Sequence, residues 1–155
     1  KKTLYDYGGV LNIKLARAWH VNKDKRLKIK NKRVINRDFV TGACMLIKRE
    51  VFEKNIFFDP RYFLYLEDVD FCLQAKKAGF KIVNVPAAEI FHYGGGSVND
   101  NKKVFYSLLS SWILTFKWTP FIYKPISLIY NSLFYPYLLI SWSLKRVKRI
   151  FLKSL

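Results

Sequence analysis

The chain has 155 residues, enough for one domain, and its 51% hydrophobic and 17% aromatic content excludes global disorder. A formal net charge of +17 implies an anionic counterpart: nucleic acid, phospholipid headgroups or a phosphorylated substrate. That charge is peripheral, because residues 1–37 hold twelve Lys/Arg against two acids and residues 101–155 hold nine against none, whereas 38–100 carry seven against nine acids.

Lys1-Lys2-Thr3-Leu4 has neither an initiator Met nor a signal-peptide pattern and reads as entry in mid-protein. Tyr7-Gly8-Gly9-Val10 reads as a turn, and Asn22 to Arg37 as a polar, Lys-rich loop. Phe39 to Ile47 is a continuous apolar run that suits a strand buried on both faces, and Gly42 within it suggests close approach of a backbone or a ligand. Lys48 to Lys54 reads as a short helix, with Asp59-Pro60 as a break. Cys44 and Cys72 lie in apolar stretches without metal-type spacing and are expected to be buried, reduced thiols.

From Glu67 to Ala78 the pattern is helical, with Phe71, Cys72, Ala75 and Ala78 at three- and four-residue steps and Gly79 as the stop. Carboxylates open this helix and Lys76 and Lys77 close it, each at the end that suits the helix dipole. Lys81 to Val85 is expected as a strand closed by Pro86. Ala88 to Tyr93 is expected to be extended, leading into the loop Gly94-Gly95-Gly96-Ser97. Val104 to Phe116 reads as a helix. Ile126 to Leu144 spans nineteen residues without a charge, thirteen of them apolar, close to the ~20 needed to cross a bilayer. Pro136, Asn131, Ser132 and Ser141 weaken a spanning segment, while Trp112, Trp118, Tyr123, Tyr130, Tyr135, Tyr137 and Trp142 suit the headgroup level.

Glu67, Asp68 and Asp70 concentrate three of the eleven acids within four positions. Such packing is explained either by a helix start or by a site where Asp68 acts as a general base. Asp68-Val69-Asp70 also matches the Asp-x-Asp pattern of nucleotide-sugar enzymes. Two residues apart on a helix, however, these side chains point about 200° from each other, so the match is a decoy. His92, followed by the Gly94–Ser97 loop, suits a phosphate-bound metal, although a structural histidine and a turn explain the same residues. His20 has no partner pattern. The basic tail borders apolar aromatic segments rather than one polar face, which argues for anionic lipid over nucleic acid.

In order, Tyr5-Asp6-Tyr7-Gly8-Gly9, Ala16-Arg17-Ala18-Trp19-His20, Val40 to Phe52, Phe58-Asp59, Phe63 to Leu73, Lys77 to Lys81, Val85-Pro86 and His92 to Ser97 make a series. Over roughly residues 3–98 this series resembles the C-terminal half of a family 2 glycosyltransferase of the bacterial rhamnosyltransferase-like group. The resemblance implies an α/β chain with a partial GT-A fold, a mixed sheet flanked by helices. Residues 1–100 would form the acceptor-side part and 101–155 a membrane-associated helical tail. It implies an inverting transfer with Asp68 as base and Glu67 in support. Asp70, Tyr65, Gly42 and Ala43 would lie at the substrate, Gly94, Gly95, Gly96 and Ser97 at the diphosphate, and His92 at a divalent cation (Mg²⁺ or Mn²⁺). Most of the cation's ligands, and the nucleotide site, would belong to a missing N-terminal half, leaving this piece inactive alone. Two positions depart from the family pattern: Ile56-Phe57-Phe58-Asp59 stands for Gly-Gly-Phe-Asp, and Gln74 for Arg.

The expected partners are a nucleotide-sugar donor, a glycan or lipid-linked acceptor and an anionic membrane surface, with no nucleic acid. The expected place is the cytoplasmic face of the cell membrane, with residues 104–123 and 126–144 as an interfacial or re-entrant helical pair. The alternative is a non-catalytic module that tethers a partner at the membrane.

Overall fold

A computed structural model describes residues 5–23, 34–90, 92 and 100–151. Strand β1 (Tyr5–Asn12) pairs antiparallel with β2 (Arg17–Lys23), and β3 (Ile35–Asn36) pairs antiparallel with β4 (Val83–Asn84). Helices α1 (Arg49–Glu53), α2 (Glu67–Lys77), α3 (Asp100–Trp118) and α4 (Lys124–Phe151) complete a mixed α/β arrangement. The expected mixed sheet is replaced, among the described residues, by these two small antiparallel ladders, and the whole is consistent with part of a GT-A fold.

Tyr7 to Val10, read from sequence as a turn, lies inside β1. The two glycines serve a bulge between Asp6 and Gly9, where Gly8 takes φ +75° and its N–H donates to Asp6 Oδ1 at 2.9 Å. Gly9 lets the Phe39 ring sit directly on the strand: a Cβ there would lie 2.0 Å from Phe39 Cζ. The Gly9 N–H donates to the Phe39 carbonyl at 2.9 Å, and the Asp38 N–H to the Gly9 carbonyl at 3.0 Å.

The apolar run from Phe39 to Ile47 is not a buried strand. Phe39 alone makes an isolated bridge, residues 42–44 turn, and Leu46 is fully exposed. The Gly42 N–H goes to the Asp68 carboxylate rather than to a ladder partner. Cys44 is consequently exposed, against expectation. Cys72 is buried as expected, and burial pushes its thiol up to about 11.

Helix α2 forms where its periodicity and charges place it, ends at Ala78, and is followed by Gly79 at φ +93°. It is the centre of the fold. Val69 and Cys72 pack with Ala16, Phe39, Tyr62 and Leu114, while Phe71 and Ala75 pack with Val51 and Ile56. At its C-terminal end Lys76 Nζ reaches Asp38 Oδ1 at 2.9 Å, and Asp38 Oδ2 accepts the Leu11 N–H at 2.9 Å, tying the helix to β1.

Its N-terminal turn is tied to α3 through Asp70, which has no exposed surface. Asp70 Oδ1 accepts from Trp118 Nε1 at 2.6 Å and from the Tyr62 hydroxyl at 3.4 Å. Oδ2 accepts from Lys117 Nζ and from Gln74 Nε2, both at 2.8 Å. Lys117 also reaches Asp59 Oδ2 at 2.9 Å, and Asp59 is forked by Arg61. Burial alone would lower the Lys117 ammonium, but hydrogen bonds and charge from Asp70 and Asp59 outweigh it and raise it. The Arg61 hydrogen bonds, aided by Lys117 and opposed by burial, hold Asp59 well below the usual carboxylate range. Burial, then the charge of Asp70, pushes the Tyr62 hydroxyl far upward, so it stays a donor.

The expected C-terminal helices are present: α3 and α4 pack on each other, joined by a 3-10 turn at Phe121–Tyr123. Thr119 Oγ1 donates to the Ile13 carbonyl at 2.8 Å and Asn131 Nδ2 to the Leu15 carbonyl at 2.9 Å, fastening the hairpin to the β1–β2 turn. No helix among the described residues is long and apolar enough to cross a membrane.

Gly9→Ala should destabilise the fold by about 1–3 kcal/mol in urea, because Phe39 must move. Gly42→Ala, whose Cβ would meet only Asp68 at an ordinary 3.6 Å, should change stability by less than about 1 kcal/mol. Lys117→Met leaves the Asp70 charge buried without its cation. It should cost about 2–3 kcal/mol at neutral pH, the low part of the range because Lys117 keeps a quarter of its side chain exposed. The depressed Asp59 contributes stability that is present above the unfolded carboxylate range and lost as pH falls through its folded value. Removing Lys117 raises that folded value, so acid unfolding followed by circular dichroism should begin at higher pH in the variant.

Candidate active site

Asp68 sits in the first turn of α2, half-buried, with both carboxylate oxygens oriented by backbone donors. Oδ2 accepts the Gly42 N–H at 3.0 Å and Oδ1 the Val69 N–H at 2.8 Å. The helix start lacks a side-chain cap, so its free N–H groups favour negative charge there. The chain enters α2 through two consecutive left-handed residues, Tyr65 at φ 68° and Leu66 at φ 64°. Such backbone costs about 1–3 kcal/mol per residue and persists only where neighbours determine it. Here the Ser110 hydroxyl donates to the Leu64 carbonyl at 2.9 Å, Phe63 packs on Tyr106 with ring centroids 4.6 Å apart, and the Asp70 N–H donates to the Leu66 carbonyl at 2.9 Å. Helix α3 thus shapes the approach to Asp68.

Glu67 is half-buried beside Asp68, and its Oε2 is sheltered from solvent without a hydrogen-bond partner among the described residues. Burial foremost, then the Asp68 charge, raises its carboxyl despite a backbone hydrogen bond. The two neighbours therefore differ in surroundings: the Asp68 carboxylate is oriented by two backbone donors, whereas the Glu67 carboxyl is raised chiefly by burial.

The side-chain directions along the helix follow its period. Asp70 turns away from Asp68 into the contacts with Lys117 and Trp118, so in this structure it is the internal anchor rather than a surface for substrate. Gln74, at the position where the family pattern has Arg, joins this anchor and also donates to the Phe57 carbonyl at 3.2 Å.

Gly42 and Ala43 lie in the exposed turn facing Asp68. Tyr65 is exposed and borders, with Lys103, Val104, Ser107, Tyr135 and Leu138, a cleft of about 100 Å³ between the α2 approach and the α3–α4 hairpin. His92 is exposed, and Gly94 to Ser97 lie outside the described residues. No group of three or more His, Cys, Asp or Glu side chains placed to hold a metal ion occurs among the described residues. These residues therefore do not by themselves fit the expected cation.

His20 had no partner visible in the sequence, yet its Nδ1 lies 2.9 Å from Asp6 Oδ2, and its ring meets Phe39 edge-on at 5.2 Å. The Asp6 hydrogen bond, opposed by burial and aided by the charges of Asp6 and Asp68, raises its pKa. His20 thus has a raised pKa and lies within the electrostatic reach of Asp68. The β1–β2 register, with Asp6 opposite Asn22 and Gly9 opposite His20 on either side of the bulge, brings the Asp6 and His20 side chains together, and no spacing in the chain announces that.

Comparison with known proteins bears on this geometry. Over 55 residues the chain is 44% identical to an N-acetylglucosaminyl-diphospho-decaprenol L-rhamnosyltransferase of Mycobacterium tuberculosis, covering 36% of this chain and 18% of that protein. It is 36% identical over 77 residues to rhamnosyltransferase WbbL of Escherichia coli, 50% of this chain and 28% of that protein. It is 29% identical over 55 residues to the low-salt glycan biosynthesis hexosyltransferase Agl10 of Haloferax volcanii, 36% of this chain and 18% of that protein. These alignments thus span less than a third of each relative's length. No solved structure matches. The profile of glycosyl transferase family group 2 matches residues 9–153, nearly the whole chain, and the chain belongs to that family.

Proposed function

We propose that these residues form the acceptor side of an inverting glycosyltransferase, moving a sugar from a nucleotide-sugar donor to a hydroxyl of a polysaccharide or lipid-linked acceptor. The observation that carries this reading is the Asp68 carboxylate, half-buried at the start of α2 and aimed by the Gly42 and Val69 N–H groups. In the step we assign to it, Asp68 takes the proton of the acceptor hydroxyl as that oxygen bonds to the anomeric carbon and the nucleoside diphosphate departs from the opposite face. Glu67, half-buried beside Asp68, is assigned to orienting the acceptor or the base. Gly42 and Ala43 leave the approach open.

The family names of the relatives support a sugar as the transferred group and, in one case, a diphosphate-linked lipid acceptor. Donor binding lies with other residues of the enzyme in this reading, so the 155 residues alone are expected not to turn over. A divalent cation would neutralise the departing diphosphate, with His92 as one ligand. No step here is routed through it, because no group of three or more candidate ligands occurs among the described residues. Sugar nucleotides are cytosolic, which places the reaction at the cytoplasmic face of the membrane.

In the enzyme that carries these residues, Asp68→Asn should lower transfer by at least about 10²-fold while donor affinity, measured by calorimetry, stays within a factor of about two. Retained turnover would remove Asp68 as the base.

A further inference from the structure

The buried side of the α3–α4 hairpin mixes small polar residues with a few apolar ones: Ser110, Ser111, Thr115, Thr119, Ser127 and Asn131 are all buried, beside Val104, Leu114 and Tyr135. Most polar atoms of the small residues pair with one another or with the backbone, while Asn131 Oδ1 is buried without a hydrogen-bond partner among the described residues. Thr115 Oγ1 lies 2.9 Å from Ser127 Oγ and donates to the Ser111 carbonyl at 2.8 Å, while Asn131 Nδ2 donates to the Ser127 carbonyl at 2.8 Å.

The outer side is apolar. Phe105, Leu109, Trp112 and Phe116 recur at three- and four-residue steps along α3, and all are exposed. Ile126, Ile129, Leu133, Tyr137 and Ile140 do the same along α4. Each set forms one stripe at the helical period, and neither stripe contains a charge. A helix packed in water places its large apolar residues inward. Small polar residues between helices and large apolar residues outside are the pattern of helices in contact with lipid.

Three further observations choose the geometry and the occupant. No helix among the described residues is long and apolar enough to cross a membrane, and the two apolar stripes run along the helices, which favours lengthwise contact. Trp112 and Tyr137 within the stripes are the aromatics that favour the headgroup level. Residues 101–155 carry nine Lys/Arg and no acid, with Lys145, Arg146, Lys148 and Arg149 on the last turns of α4. Anionic headgroups complement that charge, whereas a second copy of the chain would bring like charges together.

We propose that the outer face of the α3–α4 hairpin lies in the headgroup–acyl boundary of an anionic bilayer, with both helices parallel to the membrane plane. The proposal does not depend on the role of Asp68.

The test is flotation of the purified chain with phosphatidylcholine vesicles, with and without phosphatidylglycerol. It compares wild type, Ile129→Glu/Leu133→Glu on α4 and Trp112→Glu on α3, with circular dichroism and sedimentation run on each. The expected result is stronger binding to the anionic vesicles, reduced by at least about tenfold in the double variant and measurably in Trp112→Glu, at unchanged helicity. Should a variant lose helicity, quenching of wild-type tryptophan fluorescence by lipids brominated in their acyl chains gives the answer without substitution, and absence of quenching overturns the proposal. Equal binding to both vesicle types, unaltered binding by the helical variants, or a vesicle-free dimer that the double variant disperses would also overturn it.

Discussion

The buried carboxylate of Asp70 is the constraint on which the rest depends. A charge with no exposed surface is tolerable only if its partners leave neither oxygen unsatisfied, and here four donors converge on it from three places: Tyr62 before α2, Gln74 within α2, and Lys117 and Trp118 at the end of α3. Such an anchor adds little net stability over a well-packed apolar equivalent, but it admits one arrangement of α2 against α3. That arrangement holds the left-handed entry at Tyr65 and Leu66, and the entry sets the direction in which Asp68 faces Gly42. The paired acids thus divide their work by helix geometry, one locking the helix and the other presented beside the open turn.

The same anchor joins two surfaces of different character. Helix α3 supplies Lys117 and Trp118 to the anchor, Ser110 and Tyr106 to the approach to Asp68, and Phe105 to Phe116 to the apolar outer face. An acceptor carried in or on a membrane would meet the hairpin and the cleft beside Tyr65 before it met Asp68. If the hairpin lies on lipid and Asp68 is the base, as proposed above, α3 would stand between the two and would help to bring a lipid-linked hydroxyl to that carboxylate.

Legibility of the fold divides along the range of the interactions. Helix α2 was readable because its signals are local: apolar spacing, acids first, lysines last, and Gly79 after the end. The 200° divergence of Asp68 and Asp70 was likewise readable from the helix period. Which of the two faces inward was not, since Lys117 and Trp118 stand 47 and 48 residues away. Gly8-Gly9 resembled a turn because the causes of the two glycines are not adjacent in the chain: a bulge formed against β2, and the Phe39 ring thirty residues on. The apolar run after Phe39 resembled a buried strand because its composition suits one, but a strand also needs hydrogen-bonding neighbours, and Gly42 turns to a carboxylate instead. Family membership was legible in the order of short motifs, a signal that requires no knowledge of contacts.

The most direct test of the account is amide hydrogen exchange in Trp118→Phe, which removes one donor to Asp70 and keeps the ring. Faster exchange of Val69 and Asp70 in the first turn of α2, with the β1–β2 amides still protected, is the result the account predicts. Unchanged protection of that turn would contradict it, since Asp68 would then be positioned without the Asp70 anchor.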